Sequence, residues 1–293
     1  MAFFDRIKSV FGQPKLDVKS RFELLRAAIS GTMSKFYMAR DRRSGEVVGL
    51  KILDPQKTAF FEARFPGLKK PSEGEIAVRF THPCIVRTYE HGLTTDGEQY
   101  LVMEFIDGPG MNFVLADNDP ALEGRRVKYI RQVAEALCAV HAAGFLHRDV
   151  CPRNLLLTAD KEDIRLTDFG LSVPATPPFM QPGNRTGTPN YMAPELVRRH
   201  ATDHRVDVFS FGVTAYEICT SHLPWQSGAT GLAAMGHDKP PVDILSYYPQ
   251  LNPRLAKAIH GCIEPELSRR YPSMERFLSE IRSVEHEKQP EPQ

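Results

Sequence analysis

The apolar pattern of this chain changes character between residues 104 and 110, and that change limits the folds open to it. Before the break, apolar residues come in short β-type runs: 35–38, 47–53 and 99–106. The segment Asp41-Arg-Arg-Ser-Gly45 between the first two is turn chemistry. One helix is predicted over 72–80. After the break, Val127, Ile130, Val133, Ala134, Leu137 and Val140 recur at helical spacing, which predicts a helix over 124–143. Further helices are predicted over 206–220, 253–263 and 273–283, with short strands near 155–157 and 164–167. Residues 174–182 hold four prolines and are not expected to be helical. A small β-rich half therefore precedes a larger helical half. At 293 residues the chain is long enough for two lobes sharing a cleft, a natural place for a ligand.

Bulk composition excludes some partners. The formal net charge is +1, without a basic stripe, so no nucleic-acid partner is expected. Five cysteines without a Cys-x-x-Cys pair argue against a disulfide framework or a zinc site, and for a reducing, cytoplasmic setting. No apolar run is long enough to span a membrane. Phe3, Phe4, Ile7, Val10 and Phe11 fall on one helical face within residues 1–12. Two readings of that segment are open: a helix docked on the domain, or a weak membrane or partner contact. Residues 1–19 read as this segment plus a polar lead-in, and 284–293 as a disordered tail.

The strongest local signal is the run His147-Arg148-Asp149-Val150-Cys151-Pro152-Arg153-Asn154. Asp149 and Asn154 lie five apart in a loop bounded by Pro152, and Asp168-Phe169-Gly170 starts 19 residues after Asp149. Lys51 stands far upstream on a predicted strand. One basic group, two metal-capable oxygen donors and a separate carboxylate are what phosphoryl transfer needs. That reaction is catalysed mostly by positioning and by neutralising phosphate charge.

The order Val48-Gly-Leu-Lys51, His147-Arg-Asp149 to Asn154, Asp168-Phe-Gly170 and Ala193-Pro-Glu195 resembles the eukaryotic-type (Hanks-type) protein kinase superfamily, serine/threonine-like, over about residues 20–283. The resemblance implies the α+β, two-lobed protein kinase fold. A β-rich N-lobe would span 20–104, a hinge 104–110 and a helical C-lobe 110–283. It implies ATP and Mg²⁺ as cofactors and protein Ser/Thr hydroxyls as acceptors. Asp149 matches the residue that orients the acceptor hydroxyl. Asn154 and Asp168 match the Mg²⁺ ligands, and Lys51 the contact to the α- and β-phosphates. Glu73 or Glu75 would pair with Lys51; the turn His82-Pro-Cys-Ile-Val86 selects Glu73. In the same frame Met103 is the gatekeeper, Glu104 and Phe105 offer hinge backbone to the adenine edge, and Leu156 forms the pocket floor. Thr188 would contact the catalytic loop, Glu195 would pair with Arg270, and Asp207 would hold the loop.

Two departures from the family pattern stand out. In the stretch Ile29-Ser-Gly-Thr-Met-Ser-Lys-Phe36 only Gly31 remains of the glycine-rich loop. Phe36 stands where a valine covers the adenine, either stacking on the base or crowding it, and Gly49 replaces the usual alanine. Cys151 occupies the place of the catalytic-loop lysine. Arg153, just before Asn154, is expected to replace that lysine's charge; the other reading is an exposed surface arginine. Cys151 is read as a packed small residue, with a reactive thiol as the alternative. Autophosphorylation is expected at Thr176 or Thr186. The functional expectation is a serine/threonine protein kinase. The alternative is a catalytically silent kinase-fold scaffold.

Overall fold

The structure is a computed structural model that describes residues 15–26, 29–30, 34–183, 185–225 and 236–288. Residues 1–12 lie outside that set, as does Gly31. The chain divides into two compact units. The first holds the described residues up to Gly67 together with Pro71–Thr81 and Val86–Ile106; the second holds Leu68–Lys70, His82–Ile85 and everything from Asp107 on.

The first unit is an antiparallel sheet. Its strands are β1 (Phe22–Leu24), β2 (Ile29–Ser30), β3 (Ser34–Asp41), β4 (Val47–Leu53), β5 (Thr88–Leu93) and β6 (Gln99–Glu104). Their order is β1-β3-β4-β6-β5, with β2 also on β3. Side chains alternate between faces, so the period-two pattern of these strands sorts the residues. Val48 and Leu50 join Phe22, Ala39, Tyr100 and Val102 in an apolar core on one face. Phe36, Gly49, Lys51 and Met103 are thereby left on the other. Leu16 is buried in the same core and bridges to Thr94, so the lead-in expected to end at residue 19 already belongs to the folded unit. The predicted helix over 72–80 is shorter, Glu73–Ala77 (α1). Ser72 and Glu75 close its first turn as a reciprocal capping box.

The second unit is mostly helical. Its long helices are α2 (Arg126–Ala142) and α3 (Arg205–Thr220), followed by α4 (Pro253–Cys262) and α5 (Met274–Glu280). α2 buries the stripe Val127, Ile130, Val133, Ala134, Leu137 and Val140. α3 is buried on almost every face, as its apolar sequence requires, and packs against α2 and α4. Two short strands, β7 (Leu155–Leu157) and β8 (Ile164–Leu166), form a hairpin with Leu155 opposite Leu166. The proline-rich stretch contains one 3₁₀ turn, Pro177–Met180, which tolerates proline at its start. Among the described residues no helix is long and apolar enough to cross a membrane.

Two further boundaries differ from the sequence reading. Residues 82–85 sit with the second unit because the Leu166 N–H donates to the Cys84 carbonyl at 2.9 Å. The expected disordered tail is packed through residue 288. Val284 is buried, and the Glu287 carboxylate accepts from Arg126 at 2.7 Å and from the Gly124 N–H at 3.2 Å. A charged local sequence hid an acceptor whose partners lie more than 160 residues away.

Candidate active site

In the first unit, Lys51 projects from β4 and Glu73 from the first position of α1. Lys51 Nζ donates to Glu73 Oε1 at 2.6 Å, and both side chains are buried. Glu75 is engaged elsewhere: its Oε2 accepts from the Ser72 N–H at 2.7 Å. The choice between the two carboxylates is thus made by the cap. The residue that closes the helix N-terminus faces solvent, and the one two positions earlier faces the sheet. Met103 is buried on β6, and the Glu104 N–H is engaged by the Arg87 carbonyl at 2.8 Å. Ile29 contributes backbone to β2, paired with Phe36.

In the second unit, the loop 147–154 is held from below by α3. Asp207, fully buried, accepts from the His147 N–H at 2.8 Å, the Arg148 N–H at 2.7 Å and His141 Nε2 at 2.9 Å. Burial pushes its pKa up, but the hydrogen bond and charge of His141 and the backbone donor outweigh burial and hold the carboxyl below the usual range. These bonds fix a loop that contains Arg148 at φ 67°, a left-handed conformation unfavourable for a side chain of this size. His147 secures both flanks. Its Nε2 lies 3.1 Å from the Thr167 carbonyl, and its Nδ1 accepts from the Asp149 N–H at 3.3 Å, so the proton belongs on Nε2.

Asp149 is the centre of this arrangement. Its Oδ1 accepts from the Thr188 hydroxyl at 2.7 Å and the Thr188 N–H at 2.9 Å. Its Oδ2 accepts from Asn154 Nδ2 at 2.9 Å. The same Nδ2 donates to the Asp149 carbonyl at 2.8 Å, which leaves the Asn154 oxygen as the metal-capable end of that side chain. The β7–β8 hairpin continues past its strands: the Thr167 N–H donates to the Asn154 carbonyl at 3.0 Å, bringing the residue before Asp168 alongside Asn154. Asp168 itself is at φ 66°, and its Oδ1 accepts from the Gly170 N–H at 3.1 Å. Two oxygen donors at one end of a hairpin are a fitting pair for a hard divalent cation. Leu156 is half-buried on β7, opposite Arg165 and bridged to Gly110.

Arg153 is directed toward Asp149 and Thr188. Its Nη2 donates to the Thr188 hydroxyl at 3.1 Å and lies 3.7 Å from Asp149 Oδ2. The side chain is 56% exposed, so it also remains open to an incoming anion. Cys151 is buried and close-packed. Burial first, then the Asp149 charge, push its thiol up to about 12, so it is not a reactive thiolate. Gly187 permits the approach of Thr188. It has φ 132°, and a Cβ there would meet the Arg148 carbonyl at 3.0 Å. Of the two threonines expected to be phosphorylated, Thr186 is buried; Ser172, in the same segment, donates to the His147 carbonyl from a buried position. Thr176 is exposed.

The sequence does not announce a cavity at this site. A cavity of about 430 Å³ opens beside the loop, lined in part by Pro152, Arg153, Thr188, Tyr191 and Glu217. The Tyr191 hydroxyl donates to Glu217, whose carboxyl is raised by burial despite that bond. The available signal is Glu217, which stands with Asp207 as a carboxylate inside the otherwise mostly apolar run of α3.

The residues from 24 to 280 match the family model described as the protein kinase domain. The chain is 34% identical over 262 residues to the serine/threonine-protein kinase PknD of Mycobacterium tuberculosis, covering 88% of this chain and 38% of that protein. It is 30% identical over 275 residues to the serine/threonine-protein kinase pkn3 of Myxococcus xanthus, covering 88% and 49%. Identity to PknA of Mycobacterium tuberculosis is 30% over 284 residues, covering 93% and 63%. The chain thus spans between 38% and 63% of the length of these relatives.

Proposed function

The chain belongs to the protein kinase family, and from that premise we propose that it transfers the γ-phosphate of ATP to serine or threonine hydroxyls of proteins. The relatives' names support the acceptor class. Lys51, aligned by Glu73, holds the α- and β-phosphates. Asp149 takes or orients the proton of the acceptor hydroxyl, and Thr188 fixes the carboxylate that does so. Asn154 and Asp168 supply the oxygen ligands for Mg²⁺, which when bound neutralises phosphate charge. The adenine edge is read by backbone at Glu104 and Phe105, beside Met103, and Leu156 supplies the floor under the base.

The observation that carries this reading is Arg153. With Cys151 in the lysine's place the loop lacks its usual cation, but the Arg153 guanidinium stands 3.1 Å from Thr188 and 3.7 Å from Asp149. Its planar fork suits a transferring phosphoryl group. Loss of a preorganised donor to developing charge costs about a hundredfold in rate. Arg153→Ala is therefore expected to lower kcat by about that factor while leaving ATP affinity unchanged, and Arg153→Lys to recover part of the loss. Equal kcat in wild type and Arg153→Ala would remove Arg153 from the mechanism.

The test of the function itself is transfer from γ-labelled ATP to a protein acceptor, with the labelled residue identified after hydrolysis. Phosphoserine or phosphothreonine is the expected product. Wild-type protein that binds ATP but transfers nothing would favour the silent scaffold, the reading to which Cys151 points.

A further inference from the structure

The register of β3 on β4 sets Phe36 opposite Lys51 and Met38 opposite Gly49, on the sheet face that carries Lys51. The Phe36 ring leans over Gly49. A Cβ built on Gly49 would lie 2.8 Å from Phe36 Cζ, 2.9 Å from Cε2 and 3.0 Å from Met103 Cγ. Real Cβ atoms do not approach so closely, so an alanine here and this ring position exclude each other. Backbone conformation does not require the glycine, because Gly49 is not among the positive-φ residues. The Phe36 ring is its reason. That ring is only partly buried, and it lies nearly parallel to Phe105, with centroids 6.5 Å apart and planes at 16°.

The two departures from the family pattern at positions 36 and 49 therefore meet in space. We infer that Phe36 and Gly49 are one exchanged pair: removal of the methyl at 49 seats the phenyl ring against the sheet, where it presents an aromatic stacking face to the purine base of the nucleotide. Had the ring merely crowded the base, nothing would have required space beneath it. Gly49 lets the ring settle toward the sheet and away from the ligand. Phe105 adds a second aromatic plane in the same orientation. A stacking face recognises the flat area of a base rather than its hydrogen-bonding edge, so it adds affinity for the base without reading that edge. The inference rests on the nucleotide reading above, and that reading stands without it.

The test is a binding cycle on the full chain, by calorimetry with Mg²⁺, using ATP and inorganic tripolyphosphate as ligands. Phe36→Val is expected to weaken ATP binding about tenfold, the effect of losing one base–aromatic stack, and to leave tripolyphosphate binding unchanged. Phe36→Leu, which keeps bulk without the π face, should behave as Phe36→Val does and guards against a packing defect. Gly49→Ala should weaken ATP binding when Phe36 is present, because it displaces the ring. In the Phe36→Val background the same change should be neutral or favourable, because it restores the aliphatic pair. That reversal of sign is the signature of direct coupling. The inference is overturned if Gly49→Ala costs the same in both backgrounds, if ATP affinity ignores Phe36, or if both ligands weaken together. A wild-type chain that binds neither ligand overturns the nucleotide reading instead, and this pair's role with it.

Discussion

Asp149→Asn is expected to lower phosphate transfer by roughly 10²–10⁴-fold, the contribution of a positioned general base, while leaving the fold intact. The wiring of this carboxylate explains why the change is more than the loss of a charge. Oδ1 accepts both Thr188 donors, and an amide oxygen can keep those bonds. Oδ2 accepts from Asn154 Nδ2 at 2.9 Å, and an amide NH₂ in its place would set donor against donor. If Asn154 turns its amide over, that clash is relieved only at the loss of its 2.8 Å bond to the Asp149 carbonyl, whose oxygen the Asn154 oxygen would then face. The Asn154 NH₂ then takes the place offered to a cation. In the proposed mechanism the variant thus removes the base and turns one Mg²⁺-ligand oxygen away together. Transfer from labelled ATP and the Mg²⁺ dependence of ATP binding, measured on the same preparation, read the two effects. Unchanged transfer would mean that the carboxylate does not act in the reaction.

Contacts set by short, local spacing were legible in the sequence. The interval from Asp149 to Asn154 is a single loop, and the structure closes it with one side chain bonded to the other. The pairing of Lys51 with Glu73 was legible through a turn nine residues on, and the capping box at Ser72 and Glu75 supplies the physical reason. What was not legible depends on tertiary partners. Phe36 and Gly49 stood in the sequence as two separate departures, because nothing local shows that β3 and β4 set them on the same face. Glu287 looked like part of a solvated charge run until Arg126 and Gly124 are placed around it. Thr186 looked as available as Thr176, and only burial separates them. In each case the missing information is which atoms meet across the fold.

Glu195→Gln is expected to cost about 3–5 kcal/mol of stability, a large share of the 5–15 kcal/mol typical of a folded domain. Arg270 donates to both oxygens of Glu195, at 2.6 and 3.0 Å, and both residues are almost fully buried. The neutral amide leaves the guanidinium charge in the interior without its counter-ion. Arg270→Met should be at least as damaging, for a different reason. Arg270 also donates to the carbonyls of Glu264, Arg205 and Pro265, at 2.9, 3.1 and 3.3 Å. Those acceptors would lose their donor, at about 1–3 kcal/mol for each buried group left unsatisfied. Combining Glu195→Leu with Arg270→Met should therefore recover the charge penalty but not the carbonyl penalty, and remain less stable than wild type. Denaturant unfolding of the four proteins measures this. Glu195→Gln within about 1 kcal/mol of wild type would show that the interior tolerates the lone guanidinium. Activity should follow the same order even below the unfolding temperature. Glu195 lies seven residues after Thr188 on the chain, so the ion pair anchors the segment that carries Thr188 to Asp149.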